Sequence, residues 1–390
     1  MNQGHLSPAA TAFVGTVVLV WLSAFGYLLL IAAVARLRRR PPAGTASASR
    51  VAIVVPTLNE EDTISAKLDD LKLTDYCTSR LSLLIVDGDS HDRTREIAER
   101  KLTAGFPFPA SFITVRGCPG KLRQFRNALE LTSDEIVVCT DADSRLEPGC
   151  VRTLVEALQR DSTTAVVGAT VRPRTTLLEE RIHWWFLNTL WRLEGDAFGA
   201  AMFSGVCFAV RRQVVLAALE RARPGMTDDV FISDAVSASG AAVRLCRNAI
   251  ASETRVPTTL RELLAFRRSR GKNYFGSLRG IGHHLTGPAG WRLARALRLW
   301  HFTATPGLCG ALAVVGTLLP LAGQWMWPLL GAVALVAPPL IAVNLSRTLR
   351  LAEPSWLRRT VGLLRLAALT WFALVTLSRR PTQMAPSEET

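Results

Sequence analysis

Glu135-Ile136-Val137-Val138-Cys139-Thr140-Asp141-Ala142-Asp143-Ser144 is the stretch on which the fold of this chain turns. A largely β-branched apolar run, too short for a helix, reads as a strand buried on both faces. It breaks abruptly into two aspartates separated by one residue. The same pattern recurs upstream: Val51 to Val55 stops at Pro56, Leu81 to Val86 stops at Asp87-Gly88, and Phe112 to Val115 is a third short run. Helical patterns lie between them at Asn59 to Leu71 and Lys121 to Leu131. Strands alternating with helices predict an α/β domain with a mostly parallel sheet and crossover helices. Ligands of such sheets lie outside the carboxyl ends of the strands, so the residues just past each run become the candidates.

Those residues are acidic. After the first run, Asn59 can cap a helix whose first turn, Glu60-Glu61-Asp62, suits the helix dipole. After the second, Asp87 is badly placed for packing but well placed to accept hydrogen bonds from a nucleoside; an Asp-Gly turn with a following cap accounts for it equally well. After the fourth, Asp141 and Asp143 offer hard oxygen ligands to Mg²⁺ or Mn²⁺, which also prefer diphosphate oxygens. A bound divalent ion would neutralise charge on a departing diphosphate. Gly120-Lys121 at a helix start makes a phosphate site, although the P-loop spacing is absent. Asp228-Asp229 begins another helix, and a carboxylate there is a natural base for an acceptor hydroxyl.

The 390 residues are 49% hydrophobic and 20% charged, and the apolar ones are concentrated. No charge interrupts Ser7 to Ala35 or Leu299 to Ser346. A bilayer core needs roughly 20 helical residues, so the first stretch is long enough for one span and the second for two. Val361 to Leu377, broken by Arg365, is a fourth candidate. The first stretch lacks a basic leading region and runs into Arg36 and Arg38 to Arg40, a stop-transfer border rather than a cleavage site. By the positive-inside rule those arginines place the domain beyond the small-residue linker Pro41 to Arg50 in the cytosol.

The net charge of +14 fits anionic lipid headgroups and polyphosphate substrates better than nucleic acid. Many arginines flank the apolar stretches, among them Arg267, Arg268, Arg270, Arg292, Arg295 and Arg298, and no interleaved aromatic and basic groove occurs. The seven cysteines show no metal-ligand spacing and read as free thiols. Leu177 to Leu193 and Trp291 to Trp300 mix tryptophan with arginine, a composition that suits the headgroup layer, with core packing as the alternative for the first. The expected organisation is therefore a span and basic linker in residues 1–50, a cytosolic domain in 51–285 with an interfacial helix at 177–193, and an interfacial helix with two or three spans in 286–390.

The ordered motifs resemble one family. Val-Pro-Thr-Leu-Asn-Glu, Val-Asp-Gly-Asp-Ser-His-Asp-Arg-Thr, Gly-Lys with Arg-Asn-Ala-Leu, Asp-Ala-Asp-Ser, Ser204-Gly205 with Arg211-Arg212, and Thr-Asp-Asp follow one another between about Val51 and Gly271. In that order they are similar to the family 2 inverting glycosyltransferases of the GT-A fold, and most similar to their membrane branch of polysaccharide synthases and lipid glycosyltransferases. The resemblance implies a metal-dependent hexosyltransferase in a bacterial-type plasma membrane, its catalytic domain facing the cytosol. It would move a sugar from a nucleoside diphosphate donor, UDP-linked, to a lipid or membrane-associated acceptor, or else act as a processive polysaccharide synthase with coupled export. A silent scaffold that keeps the fold is opposed by the retained acids.

The resemblance also implies roles. Pro56, Asn59, Glu60, Asp87, Lys121 and Asp141 would bind the donor, Asp87 at the base and Lys121 near the phosphates. Asp141 and Asp143 would hold Mg²⁺ or Mn²⁺. Asp229 would be the general base, with Asp228, Arg267 and Arg270 at the acceptor or diphosphate. Two departures stand out. Gly88 replaces a second aspartate, and Phe266-Arg267-Arg268-Ser269-Arg270-Gly271 lacks the Gln and Trp of the processive synthases' Gln-x-x-Arg-Trp motif.

Overall fold

The computed structural model describes residues 7–38, 49–116, 120–220, 228–281, 286–321, 323–346 and 355–377; Arg39, Arg40, linker residues 41–48, Cys118 and Thr227 lie outside them. Among the described residues, eight strands form one sheet: β1 (Val51–Thr57), β2 (Leu81–Asp87), β3 (Ala110–Thr114), β4 (Ile136–Thr140), β5 (Ser144–Leu146), β6 (Thr164–Pro173), β7 (Cys207–Arg211) and β8 (Ala242–Glu253). Their order is β3-β2-β1-β4-β7-β6-β8-β5. The first four are parallel, as their continuous apolar runs predict.

Beyond β4 the expected mostly parallel sheet becomes a mixed one. β7 runs antiparallel to both β4 and β6, and β5 antiparallel to β8, while β6 and β8 are parallel. These pairings join segments distant in sequence, so no local periodicity announces them.

Side-chain alternation splits the core into two layers. Val51, Ile53 and Val55 face Ile64, Leu68 and Leu71 of α3 (Ile64–Lys72) and Leu154 and Leu158 of α6 (Cys150–Gln159). Ala52 and Val54 face Phe125 and Leu129 of α5 (Lys121–Leu131) and Val230 and Phe231 of α9 (Asp228–Ala238). Each such buried aliphatic residue contributes about 1.5–3 kcal/mol. The chain first passes through a six-residue loop before α3, which therefore starts later than Asn59. α4 (Thr94–Thr103) and α8 (Arg212–Leu219) complete the cover.

The apolar segments are helical. α1 (Pro8–Trp21) continues through a π-helical turn, Leu22–Gly26, into α2 (Tyr27–Leu37). α10 (Leu260–Ile281), α11 (Ala289–Leu321), α12 (Met326–Leu345) and α13 (Trp356–Leu377) come after the sheet. Among the described residues, α11 and α12 are long and apolar enough to cross a membrane, and α1 and α2 are shorter apolar helices. Leu19, Leu22, Leu29, Val314, Leu318, Leu329 and Val333 are exposed on these helices.

The two tryptophan-rich segments depart from a simple headgroup role. α7 (Leu178–Phe198) turns Trp184 and Trp191 into the sheet core, while Ile182 and Trp185 pack with Val343 of α12 and Leu363 and Leu366 of α13. The Trp291 to Trp300 segment is the start of α11, continuous with the apolar stretch. Trp291, Arg295 and Arg298 are buried within it, because Asp234 of α9 and Glu194 of α7 lie opposite them; Arg292 and Trp300 remain exposed.

Candidate active site

The carboxyl ends of β1 and β2 are tied into one rim. Asp87, 2% exposed, ends β2 and accepts hydrogen bonds from Asp89 N (3.1 Å), Ser90 N (3.0 Å), Ser90 Oγ (2.5 Å) and Thr57 Oγ1 (3.3 Å). The carboxylate expected at a nucleoside base thus also shapes its own loop. Asn59 Oδ1 accepts from His91 N, and Asn59 N donates to Ser90 Oγ. Asn59 and Asp89 both take positive φ, 54° and 74°, a conformation concentrated at functional sites. Pro56 lies on β1 past its last β4 partner, where the missing N–H leaves no gap in that ladder.

Gly88 has a local reason. Gln124 of α5 donates to Thr57 O (2.6 Å) and Val86 O (3.0 Å), and a Cβ at position 88 would meet its amide nitrogen at 2.8 Å. Sequence reading missed Gln124, although it sits one helical turn after Lys121 on the same face.

Two acids far apart in sequence, and one backbone carbonyl, converge on one amine. Lys121 Nζ lies 2.5 Å from Asp141 Oδ1 and 3.0 Å from Asp228 Oδ2, and donates to Gly205 O at 2.8 Å. Gly205 leaves room for this approach: a Cβ there would stand 2.6 Å from Lys121 Nζ and 2.9 Å from Asp228 Oδ2, and would displace those side-chain ends. Burial alone would depress the Lys121 ammonium, but Asp141 and Asp228 outweigh it and hold its pKa well above the ordinary lysine value. Burial, then the neighbouring Asp228 and Asp143, raise Asp141 in spite of Lys121. Asp229, next along α9, is pushed up to about 6 by burial and by Asp228. A carboxyl in that range suits a general base near neutral pH.

Asp143 faces a different cation. Arg255, two residues past β8, clamps Glu60 through two bonds of 2.9 and 2.6 Å, and its Nε lies 3.8 Å from Asp143 Oδ2. Thr254 Oγ1 donates to the Asp143 carbonyl. Burial raises Glu60 despite the arginine. Arg255 was missed in the sequence, although it obeys the same strand-end rule as the acids. Arg267, by contrast, pairs internally with the fully buried Glu180. Arg270 bonds Glu253 at 2.5 Å and lies over the Phe266 ring at 4.2 Å, and its charge reaches Asp229. The structure therefore brings Lys121, Asp141, Asp228 and Asp229 together, puts Asp143 and Glu60 beside Arg255, and draws Arg267 away.

The residues present fit a divalent metal. Asp141 and Asp143 flank one turn, and like-charge crowding already raises Asp141. No group of three or more His, Cys, Asp or Glu converges among the described residues, so no closed metal cage forms there. Two carboxylates on one short turn match the habit of Mg²⁺, which is bound through one or two carboxylates, keeps waters and takes diphosphate oxygens.

Comparison with known proteins agrees. Residues 52–217 match the model of glycosyl transferase family 2, and residues 136–375 match that of glycosyl transferase family group 2. The chain is 27% identical over 174 residues to the Bacillus subtilis protein named "Probable glycosyltransferase YdaM". It is 28% identical over 158 residues to an uncharacterised protein of Methanocaldococcus jannaschii. The matches span 43% and 40% of this chain but only 41% and 62% of those relatives. The structure of the mannosyltransferase PcManGT from Pyrobaculum calidifontis, solved with GDP-Man and Mn²⁺, superimposes with a TM-score of 0.67 at 21% identity, covering 93% of this chain and 98% of that one. That shared fold extends past the sheet into the apolar helices. With its mixed sheet, its crossover helices and a family match that runs through more than half its length, the chain belongs to glycosyl transferase family group 2 and has the GT-A fold.

Proposed function

We propose that this protein is an inverting, metal-assisted glycosyltransferase that moves a hexose from a nucleoside diphosphate sugar to an acceptor held at a membrane surface. The observation that carries the reading is Lys121, which bridges Asp141 and Asp228 and so brings the α9 acids to the strand-end aspartates. The donor would lie across the ends of β1, β2 and β4, with Asn59, Glu60 and Asp87 at its nucleoside side and Lys121 beside the diphosphate. Asp229 takes the proton of the acceptor hydroxyl while that oxygen bonds to the anomeric carbon. The bond from that carbon to the diphosphate oxygen breaks in the same displacement, which inverts the centre and releases the nucleoside diphosphate. A divalent ion held by Asp141 and Asp143 would offset charge on the leaving diphosphate.

The membrane part of the reading is supported by α11 and α12, and by the placing of α7 between the sheet core and α12 and α13. The domain division expected from sequence, with residues 51–285 facing the cytosol of a bacterial-type plasma membrane, is part of the proposal. UDP is the donor nucleoside proposed; the Pyrobaculum mannosyltransferase, seen with GDP-Man and Mn²⁺, makes GDP-linked donors the first competitor. A screen of UDP- and GDP-sugars on membranes carrying the protein, reading released nucleoside diphosphate, tests this. Release from a single donor class, lost in Asp229→Asn, is expected. No release from any donor would overturn the reading, and a long polymer on sizing the product would replace single transfer with processive synthesis.

A further inference from the structure

Behind the Asp141-Ala142-Asp143 turn lies a lysine with no part in the chemistry above. Lys67 of α3 is fully buried. Its Nζ reaches Thr140 Oγ1 at 2.8 Å, Ser144 Oγ at 3.1 Å and Ser144 O at 3.4 Å. Thr140 and Ser144 are the residues on either side of the turn.

The two hydroxyls lie 2.9 Å apart, and either can donate to the other or to a backbone carbonyl. Those carbonyls are Val206 O, 3.1 Å from Thr140 Oγ1, and Asp141 O, 2.8 Å from Ser144 Oγ. Whichever way those protons point, Lys67 donates to both oxygens and ties them together. One turn further along α3, Asp70 accepts from Leu146 N at 2.9 Å, so the same helix also grips the segment after the turn. Among the described residues its carboxylate partner is Asp70, 3.8 Å away and beyond hydrogen-bond range. Burial lowers the Lys67 pKa. A lysine kept in the interior without a close counter-ion is a cost to folding that an apolar residue would avoid.

We propose that Lys67 is a positioning residue for the metal-binding turn, its ammonium holding Thr140 and Ser144 so that the backbone carrying Asp141 and Asp143 keeps the course from which both carboxylates can take one divalent ion. This rests on the metal reading of those two aspartates. Removing groups that orient metal ligands typically lowers metal affinity about 10- to 100-fold.

Lys67→Met keeps the length and removes the charge; Thr140→Val removes one of the lysine's contacts, together with the Thr140 bonds to Ser144 and Val206 O, and leaves the lysine. Two measurements on the full chain separate the outcomes: amide hydrogen exchange, and Mn²⁺ titration by the loss of its free spin-resonance signal. In Lys67→Met, faster exchange confined to residues 141–145 is expected, with Mn²⁺ bound about 10- to 100-fold more weakly and thermal unfolding no lower than in the parent. Thr140→Val should move both readouts the same way by less. Unchanged exchange at the turn, or a loosened turn that binds Mn²⁺ at parental affinity, would overturn the proposal. If the parent itself binds no Mn²⁺, the metal role of Asp141 and Asp143 falls, and the positioning claim falls with it even if exchange at the turn quickens.

Discussion

Among the acid–base clusters of the described residues, two that share α9 are built from the same residue types and serve opposite ends. At the strand ends, Lys121 joins Asp141 and Asp228, with Lys121 27% and Asp141 26% exposed. Beneath the apolar helices, Asp234 of α9 meets Arg295 and the Trp291 indole, while Glu194 of α7 meets Arg298 at 2.7 Å and the Tyr27 hydroxyl at 2.7 Å. Asp234 and Glu194 are fully buried. The open cluster leaves its carboxylates within reach of a ligand. The closed one spends its acids on α2 and α11, and so fixes those helices to the sheet domain. Because α9 carries Asp228 and Asp229 at its start and Asp234 in its middle, it belongs to both.

The contrast predicts that equal chemistry at the two clusters has unequal results. Asp229→Asn removes the proton acceptor and should lower kcat by about 10²- to 10⁴-fold, with thermal unfolding nearly unchanged. Asp234→Asn removes a buried carboxylate that pairs with Arg295 and faces Arg298, and should lower stability by up to about 3–5 kcal/mol. Turnover per folded molecule should survive it. Side-by-side kinetics and thermal melts decide the matter, and an Asp229→Asn protein with near-parental kcat would remove the base assignment.

A smaller effect distinguishes the two neighbouring acids of the open cluster. If Asp229 must be ionised to accept a proton, kcat/KM should climb with pH until about 6 and then level, because burial and Asp228 push the carboxyl to about 6. Taking away the like charge in Asp228→Asn lowers that pKa, so the acid limb should move to lower pH. A limb that stays in place, or moves upward, would mean that Asp229 does not govern the profile.

Much of the open cluster was legible in the sequence, and little of the closed one. Strands buried on both faces leave uninterrupted runs such as Val51 to Val55, and an acid at the end of such a run is conspicuous. That rule found Asp87, Asp141 and Asp143. It passed over Lys67, Gln124 and Arg255, whose roles depend on which loop folds against them. Arg295 and Arg298 were ambiguous for a related reason. An arginine beside an apolar stretch can meet a lipid headgroup or a buried acid, and their partners Asp234 and Glu194 lie 61 and 104 residues away in sequence. The mixed half of the sheet was hidden likewise, since β7 reaches β4 only after α7 has intervened.

The finest test of the division is Tyr27→Phe. The Tyr27 hydroxyl donates to Glu194 Oε1 at 2.7 Å and links α2 to α7, while Arg298 still bonds the same carboxylate from α11. Glu194 therefore keeps a charge partner, and giving up the bond to it should cost about 1 kcal/mol. A slightly lower melting temperature with kcat and donor KM unchanged is expected. The phenyl ring preserves the packing, so a fall in kcat could not be assigned to a cavity. Such a fall, beyond any loss of folded protein, would mean that the closed cluster sets the position of α9 and hence of Asp229, and the two clusters would then act as one.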